Sequence, residues 1–306
     1  MRKCFFPAVM HGFISAGTPI RTVRAIITFM KKAAILYDFD KTLCTKDMQE
    51  YSLIPSLGYE SPRVFWDEVT ELTVRYRMDG ISAYLYHLQK KFTEQGSPVT
   101  KDMFIKPGRQ IELYPGVETW FRRINDYGRK AGLFIEHYII SSGMKEIIEN
   151  TSIADEFRKI YACCYYYENG IAVWPAQVVN YTTKTQYIFR INKQVLDESD
   201  DRSLNEYVDP KHRPIPFTRM VYVADGITDV PCMRLVKEYG GSSVAVYNPD
   251  SPKAVNTAKK LIDDGRANYM VKADYSENSD MEQLMKRIID HMKADAELED
   301  LEGQYR

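Results

Sequence analysis

A small set of side chains in this sequence has the types and the spacing to do chemistry together. Asp38 and Asp40 stand in the run Asp38-Phe39-Asp40-Lys41-Thr42-Leu43, directly after the apolar stretch Ala33–Tyr37. Asp225 and Asp229 flank the turn Gly226-Ile227-Thr228, directly after Met220–Ala224. Ser141-Ser142-Gly143 follows the apolar stretch Leu133–Ile140, and Lys184 opens a helical stretch after a Thr-Thr loop. Buried carboxylates are costly unless a cation or hydrogen bonds compensate them. Mg2+ is a natural partner, because it takes hard oxygen ligands and suits phosphate groups. A small hydroxyl beside free N–H groups at a helix N-terminus would cradle a phosphate. Each residue also has a plain structural alternative, such as an Asp or Ser helix cap or a solvated lysine. Their common placement, each at a strand end or loop where a ligand would bind, favours one shared site.

The elements that must position them follow from the apolar pattern. Short apolar runs ending in polar or glycine residues read as buried parallel strands. These are Ala33–Tyr37, Leu133–Ile140, Met220–Ala224 and Ser243–Tyr247, with Tyr269–Lys272 as a weaker one. Helical stretches lie between them at Val117–Tyr127, Lys145–Glu149, Thr185–Val195, Pro231–Glu238 and Pro252–Asp263, and Gly240-Gly241 reads as a helix stop. Alternating strands and helices predict an α/β fold with a parallel sheet, whose strand C-termini line the ligand crevice.

One connection is far too long. Between Asp38 and Ser141 lie 102 residues, where a crossover needs about a dozen. Helical patterns at Pro62–Met78, Ile81–Phe92 and around Met103–Ile105 predict a small helical insertion over 47–112, with Tyr114-Pro115-Gly116 marking the return. A second insertion, Ile160–Val179, reads as a β-hairpin turning at Asn169-Gly170. Its tyrosines are read as strand formers rather than binding groups. The division expected is therefore an N-terminal extension (1–30), an α/β core (31–46 and 113–290), a helical insertion (47–112) and an acidic C-terminal tail (291–306).

Composition removes other classes. Lys plus Arg is 41 and Asp plus Glu is 42, a balance unlike that of a nucleic-acid binder. No apolar run approaches the roughly 18 residues of a membrane span. The five cysteines show no C-x-x-C and the five histidines no H-E-x-x-H, so a zinc site is disfavoured. Reduced thiols in a cytoplasmic protein are the simple expectation. The charge is lopsided at the ends. Residues 1–29 carry Arg2, Lys3, Arg21 and Arg24 without an acid, and residues 295–302 carry five acids without a base. The first segment reads as an upstream extension in preference to a packed helix or a targeting peptide, and the second as a frayed, solvated terminus.

Taken together, the chemical residues resemble the four motifs of the haloacid dehalogenase-like superfamily. Asp38-x-Asp40-x-Thr42 is similar to its first motif, Ile140-Ser141 to its second, Lys184 to its third and Asp225-Gly226-x-x-Asp229 to its fourth, across about residues 31–275. The helical insertion corresponds to the family's C1 cap, and with the hairpin it is similar to the phosphoserine-phosphatase-like branch. The resemblance implies a Rossmann-like core with helices on both faces of the sheet. It also implies a Mg2+-dependent phosphatase for a small phosphorylated metabolite. Asp38 would be the nucleophile that forms an aspartyl-phosphate, and Asp40 the general acid and base. Ser141, Ser142 and Lys184 would bind the phosphate. Mg2+ would be held by Asp38, the Asp40 carbonyl and Asp225, with Asp229 either a further ligand or a group that orients the others. Phosphotransfer to an acceptor other than water and a non-catalytic binding protein are the competing readings. Retention of both Asp38 and Asp40 speaks against the second.

The sequence departs from the family at informative places. Ala224 and Ser142 stand where glycine is common. Asp47 stands where phosphoserine phosphatases carry a glutamate that meets the substrate amine, so it is a candidate substrate-contacting residue. Arg63, Arg75 and Arg77 in the cap are further candidates for meeting an anion. The sequence does not set the oligomeric state.

Overall fold

The computed structural model describes residues 30–305, so residues 1–29 of the expected extension lie outside the described part. Seven strands form one sheet in the order β4-β3-β2-β1-β5-β6-β7. They are β1 (Lys31–Tyr37), β2 (Leu133–Met144), β3 (Lys159–Glu168), β4 (Ile171–Gln177), β5 (Met220–Ala224), β6 (Ser242–Tyr247) and β7 (Tyr269–Lys272). All neighbours are parallel except β3 and β4. Numbering only helices of nine or more residues, α1 is Pro62–Tyr76, α2 Gly80–Glu94, α3 Val117–Lys130, α4 Lys184–Lys193, α5 Val230–Glu238, α6 Pro252–Asp263 and α7 Asp280–Tyr305.

Strand β1 has neighbours on both sides, and all of Ala33–Tyr37 is buried. That accounts for its unbroken apolar run rather than an alternating one. Its register decides where the chemistry goes. Tyr37 lies opposite Ile139 on β2 and opposite Val223 on β5. Asp38 and Asp225 therefore leave the sheet, and Ser141 stands on β2, at the same end, where the strand order switches direction from β1, the usual ligand crevice of such sheets.

The long connection leaves and re-enters through a two-stranded hinge. Thr45 donates its N–H to the Glu112 carbonyl (3.0 Å) and Tyr114 donates to the Leu43 carbonyl (2.9 Å). Between them stand α1 and α2. Pro62 opens α1, where a missing N–H costs nothing. Asp79 caps α2 by accepting from the N–H groups of Ile81 and Ser82. Phe65 and Val69 on α1 and Tyr84, Leu85 and Leu88 on α2 are buried, with the Phe65 and Tyr84 rings edge to face, while Val64 and Val74 are exposed. Gly116 then turns the chain back at a φ of 79°. A side chain there would lie 2.3 Å from the Ser276 nitrogen, so only glycine fits.

Three expectations need correction. The hairpin is no separate insertion, because the first half of β3 pairs in parallel with β2 and extends the central sheet. Asn169 and Gly170 do turn it, both with positive φ. The strand β2 does not stop at Ile140 to open a helix. It continues to Met144 through an irregular register, and the helix that follows is only Lys145–Ile148. The acidic C-terminus is not frayed. Residues 291–305 continue α7 without a break. Asp300 pairs with Lys31 (2.8 Å), and Glu299 pairs with both Lys31 (3.3 Å) and Arg219 (2.7 Å).

A buried polar relay lies within the core. Trp120 Nε1 donates to the Tyr37 hydroxyl (2.8 Å), and that hydroxyl meets His137 Nδ1 (3.1 Å). His137 Nε2 meets Asn125 Oδ1 (3.0 Å). This suits a neutral imidazole that accepts at Nδ1 and donates at Nε2. Burial pushes the His137 pKa down to about 3. The unfolded chain therefore binds a proton that the native state refuses between about pH 6.5 and 3, and stability is lost as pH falls through that window. The advantage of wild type over His137→Gln in urea denaturation should shrink by about 2 kcal/mol between pH 6.5 and 5. A constant difference would contradict this role.

Candidate active site

The first carboxylate is placed by the sheet itself. The Asp38 N–H donates to the Val223 carbonyl (3.0 Å), extending the β1–β5 pairing by one residue. The next residues curl tightly, with the Phe39 carbonyl accepting from Leu43 (2.9 Å) and Thr42 (3.2 Å). Tyr275 pins the curl by donating its hydroxyl to the Thr42 carbonyl (2.7 Å). Lys41 sits in it with a φ of 55°. Asp40 is thereby held beside the start of the cap, where its Oδ1 accepts the Met48 N–H (2.8 Å). Gly143 closes this corner from β2. A Cβ there would lie 2.1 Å from Met48 Cε and 3.1 Å from Asp40 Oδ2.

Lys184 is aimed from the opposite side. Asn180 Oδ1 accepts the N–H groups of Thr182 (3.2 Å) and Thr183 (3.0 Å), which folds the Thr-Thr loop into the start of α4. The buried Lys184 ammonium then reaches Asp38 Oδ1 (2.9 Å) and Asp229 Oδ1 (2.7 Å). Asp229 is fully buried and held on all sides. It also accepts from the Tyr222 hydroxyl (2.6 Å) and the Thr228 hydroxyl (2.8 Å). Carboxylate oxygens of Asp38, Asp225 and Asp229 lie within 4.8 Å of one another. None of the described hydrogen bonds ends on the Asp225 carboxylate.

The charges do not balance. Burial, then Asp229, pushes the Asp38 carboxyl up to about 6 against the pull of Lys184. Burial, then Asp38 and Asp229, pushes Asp225 up to about 8. Burial, then Asp47 and Asp38, holds Asp40 well above the usual carboxylate range. Burial opposes the charge on Lys184, but Asp229 and Asp38 outweigh it and hold the ammonium above its ordinary range. The buried Lys184 thus bonds two of three close carboxylates, and the third, Asp225, has only the weaker pull of Lys41. The donor set is all oxygen, with no nitrogen or sulfur in the cluster, which fits Mg2+ and not zinc.

The other expected residues sort as follows. Ser141 is buried and its Oγ accepts the Gly143 N–H (3.0 Å). The Ser142 hydroxyl is buried with no hydrogen-bond partner. Asp47 pairs with Lys41. Arg63 and Arg75 make solvent-facing pairs with Asp67 and Glu71 on their own helix, and Arg77 is exposed. Tyr222, Met48 and Asn180 were not expected at the site. Tyr222 reads as one more apolar position of a buried strand, and Met48 contributes through a backbone N–H that any residue could supply.

The chain matches the family model for haloacid dehalogenase-like hydrolase over residues 35–234. It is 27% identical to an uncharacterized protein of Borreliella burgdorferi over 277 residues, covering 80% of this chain and 92% of that one. Among solved structures it is similar to a substrate-bound phosphoserine phosphatase, with a TM-score of 0.53 and 15% identity, over 84% of this chain and 98% of that one. A HAD family hydrolase of Salmonella enterica gives a TM-score of 0.53 at 14% identity, over 88% and 80% of the two chains. At these identities the likeness to solved structures concerns the fold.

Lys184→Met should leave Asp38 and Asp229 buried without their cation. The expected cost is about 3 kcal/mol in urea denaturation at pH 7 without added metal. A change below about 1 kcal/mol would show that the ammonium does not hold the cluster together.

Proposed function

The chain belongs to the haloacid dehalogenase-like hydrolases, and on that premise we propose that it is a Mg2+-dependent phosphatase acting on a small phosphomonoester. One observation carries the reading: a single buried lysine grips two carboxylates, Asp38 directly after β1 and Asp229 at the start of α5, beside a third, Asp225. Such a site is short of positive charge, and a divalent cation with a phosphate group would complete it. The phosphoserine phosphatase among the structures of similar fold supports the same class.

In this mechanism the Asp38 carboxylate attacks phosphorus, and the ester oxygen departs with a proton from Asp40. An aspartyl-phosphate on Asp38 results. Asp40 then takes a proton from the incoming water, which attacks phosphorus and frees both phosphate and Asp38. Burial, then Asp47 and Asp38, holds the Asp40 carboxyl well above the usual carboxylate range, the direction that favours a proton donor. Lys184 and Ser141 would meet the phosphoryl oxygens as charge shifts in the transition state. Asp38, Asp225 and Asp229, with the Asp40 carbonyl, would hold Mg2+, which supplies further positive charge to those oxygens. The unpartnered Ser142 hydroxyl is a further phosphate contact we propose. Closure of the cap would keep bulk water from the leaving group. The four described cysteines are all free thiols, which supports a cytoplasmic setting.

Hydrolysis of p-nitrophenyl phosphate should require Mg2+ and stop in EDTA. Asp38→Asn should lower kcat by about three orders of magnitude or more. Asp40→Asn should lower it by about two to four orders. An Asp38→Asn enzyme within tenfold of wild type would rule out the aspartyl-phosphate route.

A further inference from the structure

We propose that Lys41 reads negative charge on the leaving group, so that the preferred substrates are phosphomonoesters whose alcohol carries its own anion close to the ester. The inference rests on the phosphatase reading and names its substrate class. Lys41 lies between Asp40 and Thr42, inside the curl that presents the proposed nucleophile and acid. Its φ of 55° is uncommon for a residue with a side chain and persists only where the surroundings hold it. Here the Phe39 carbonyl, accepting from Thr42 and Leu43, does so. The ammonium ends on Asp47 Oδ2 (2.5 Å), with the two side chains 47% and 27% exposed.

A pair this exposed contributes little to stability, so its position calls for another role. It spans from the nucleophile loop to the cap. Asp47 immediately precedes the single turn Met48–Glu50, whose first N–H rests on Asp40. The ester oxygen must reach Asp40 to be protonated, so the rest of the leaving group has to sit beside this pair. A cationic group would compete with Lys41 for Asp47. An anionic group would compete with Asp47 for Lys41. The anchoring decides between them. Lys41 belongs to the core loop fixed by the Asp38–Val223 bond, whereas Asp47 lies in the cap's entry segment, beyond the bonds that join 43–45 to 112–114. On this proposal the more rigidly anchored Lys41 is the partner the leaving group meets, and Asp47 is the group it displaces.

The test compares kcat/KM for four esters. They are 2-phosphoglycolate (a carboxylate), 1,3-propanediol bisphosphate (a second phosphate), glycerol 3-phosphate (no further charge) and phosphoethanolamine (an ammonium). Wild type should favour at least one anionic ester over glycerol 3-phosphate by tenfold or more, and the first two arms tell carboxylate from phosphate. Lys41→Gly suits the left-handed backbone and should bring that ratio near one, while Lys41→Arg should keep it. Asp47→Asn, which frees the ammonium, should hold or raise it. A preference for phosphoethanolamine, or a ratio unchanged in Lys41→Gly, would overturn the proposal while leaving the phosphatase reading intact. Absence of turnover with all four esters and with p-nitrophenyl phosphate would overturn both.

Discussion

The site depends on an electrostatic debt. Three carboxylates converge at one end of a buried sheet, and the buried Lys184 bonds only two of them. In a low-dielectric setting like charges a few ångströms apart strongly disfavour one another's ionisation. The direction of every resolved shift there, with Asp38, Asp40 and Asp225 pushed up and Lys184 held charged, expresses that constraint. A stable apolar core would avoid such a cluster. Its retention marks the sheet edge as a place where outside positive charge and a phosphate are expected to enter.

The rest of the fold serves this arrangement. Placing β1 between β2 and β5 brings three chain segments, distant in sequence, to one edge in register. The Asn180 turn delivers Lys184 from a fourth segment, and the Asn180 amide also donates to Asp79 on the cap (3.0 Å). The cap is thus tied to the core near the site as well as through its hinge. Tyr165 adds a further tie by donating its hydroxyl to the Leu85 carbonyl (2.6 Å). Helix α7 steadies the far end of β1 through Lys31, opposite the end that carries Asp38.

The sequence exposes the parts of this design that are local. Strand ends followed by Asp38 and Asp225 are legible because a buried parallel strand must be apolar throughout and stops where polarity begins. The strands at Met220–Ala224 and Tyr269–Lys272 and the helix Pro252–Asp263 match their sequence limits for that reason. What depends on distant partners is not legible. The run Asp295 to Glu302 looks like a solvated tail until Lys31 and Arg219 are seen beside it. The segment Ser141–Gly143 looks like a helix start because a serine and a glycine suit a cap. Instead the Ser141 hydroxyl satisfies the Gly143 N–H locally and the strand goes on. The pairing of Lys41 with Asp47, six residues apart, needs a left-handed residue that no local pattern announces.

The central claim is that the carboxylate cluster lacks a cation that Mg2+ supplies. Thermal unfolding across a Mg2+ titration tests it without reference to any substrate. A metal bound only by the native state stabilises it by RT ln(1 + [Mg2+]/Kd), about 2.7 kcal/mol at a hundredfold excess over Kd. The account predicts a Tm that climbs steadily with Mg2+ in wild type and stays flat in Asp225→Asn. A wild-type Tm indifferent to Mg2+, or an equal rise in Asp225→Asn, would contradict it.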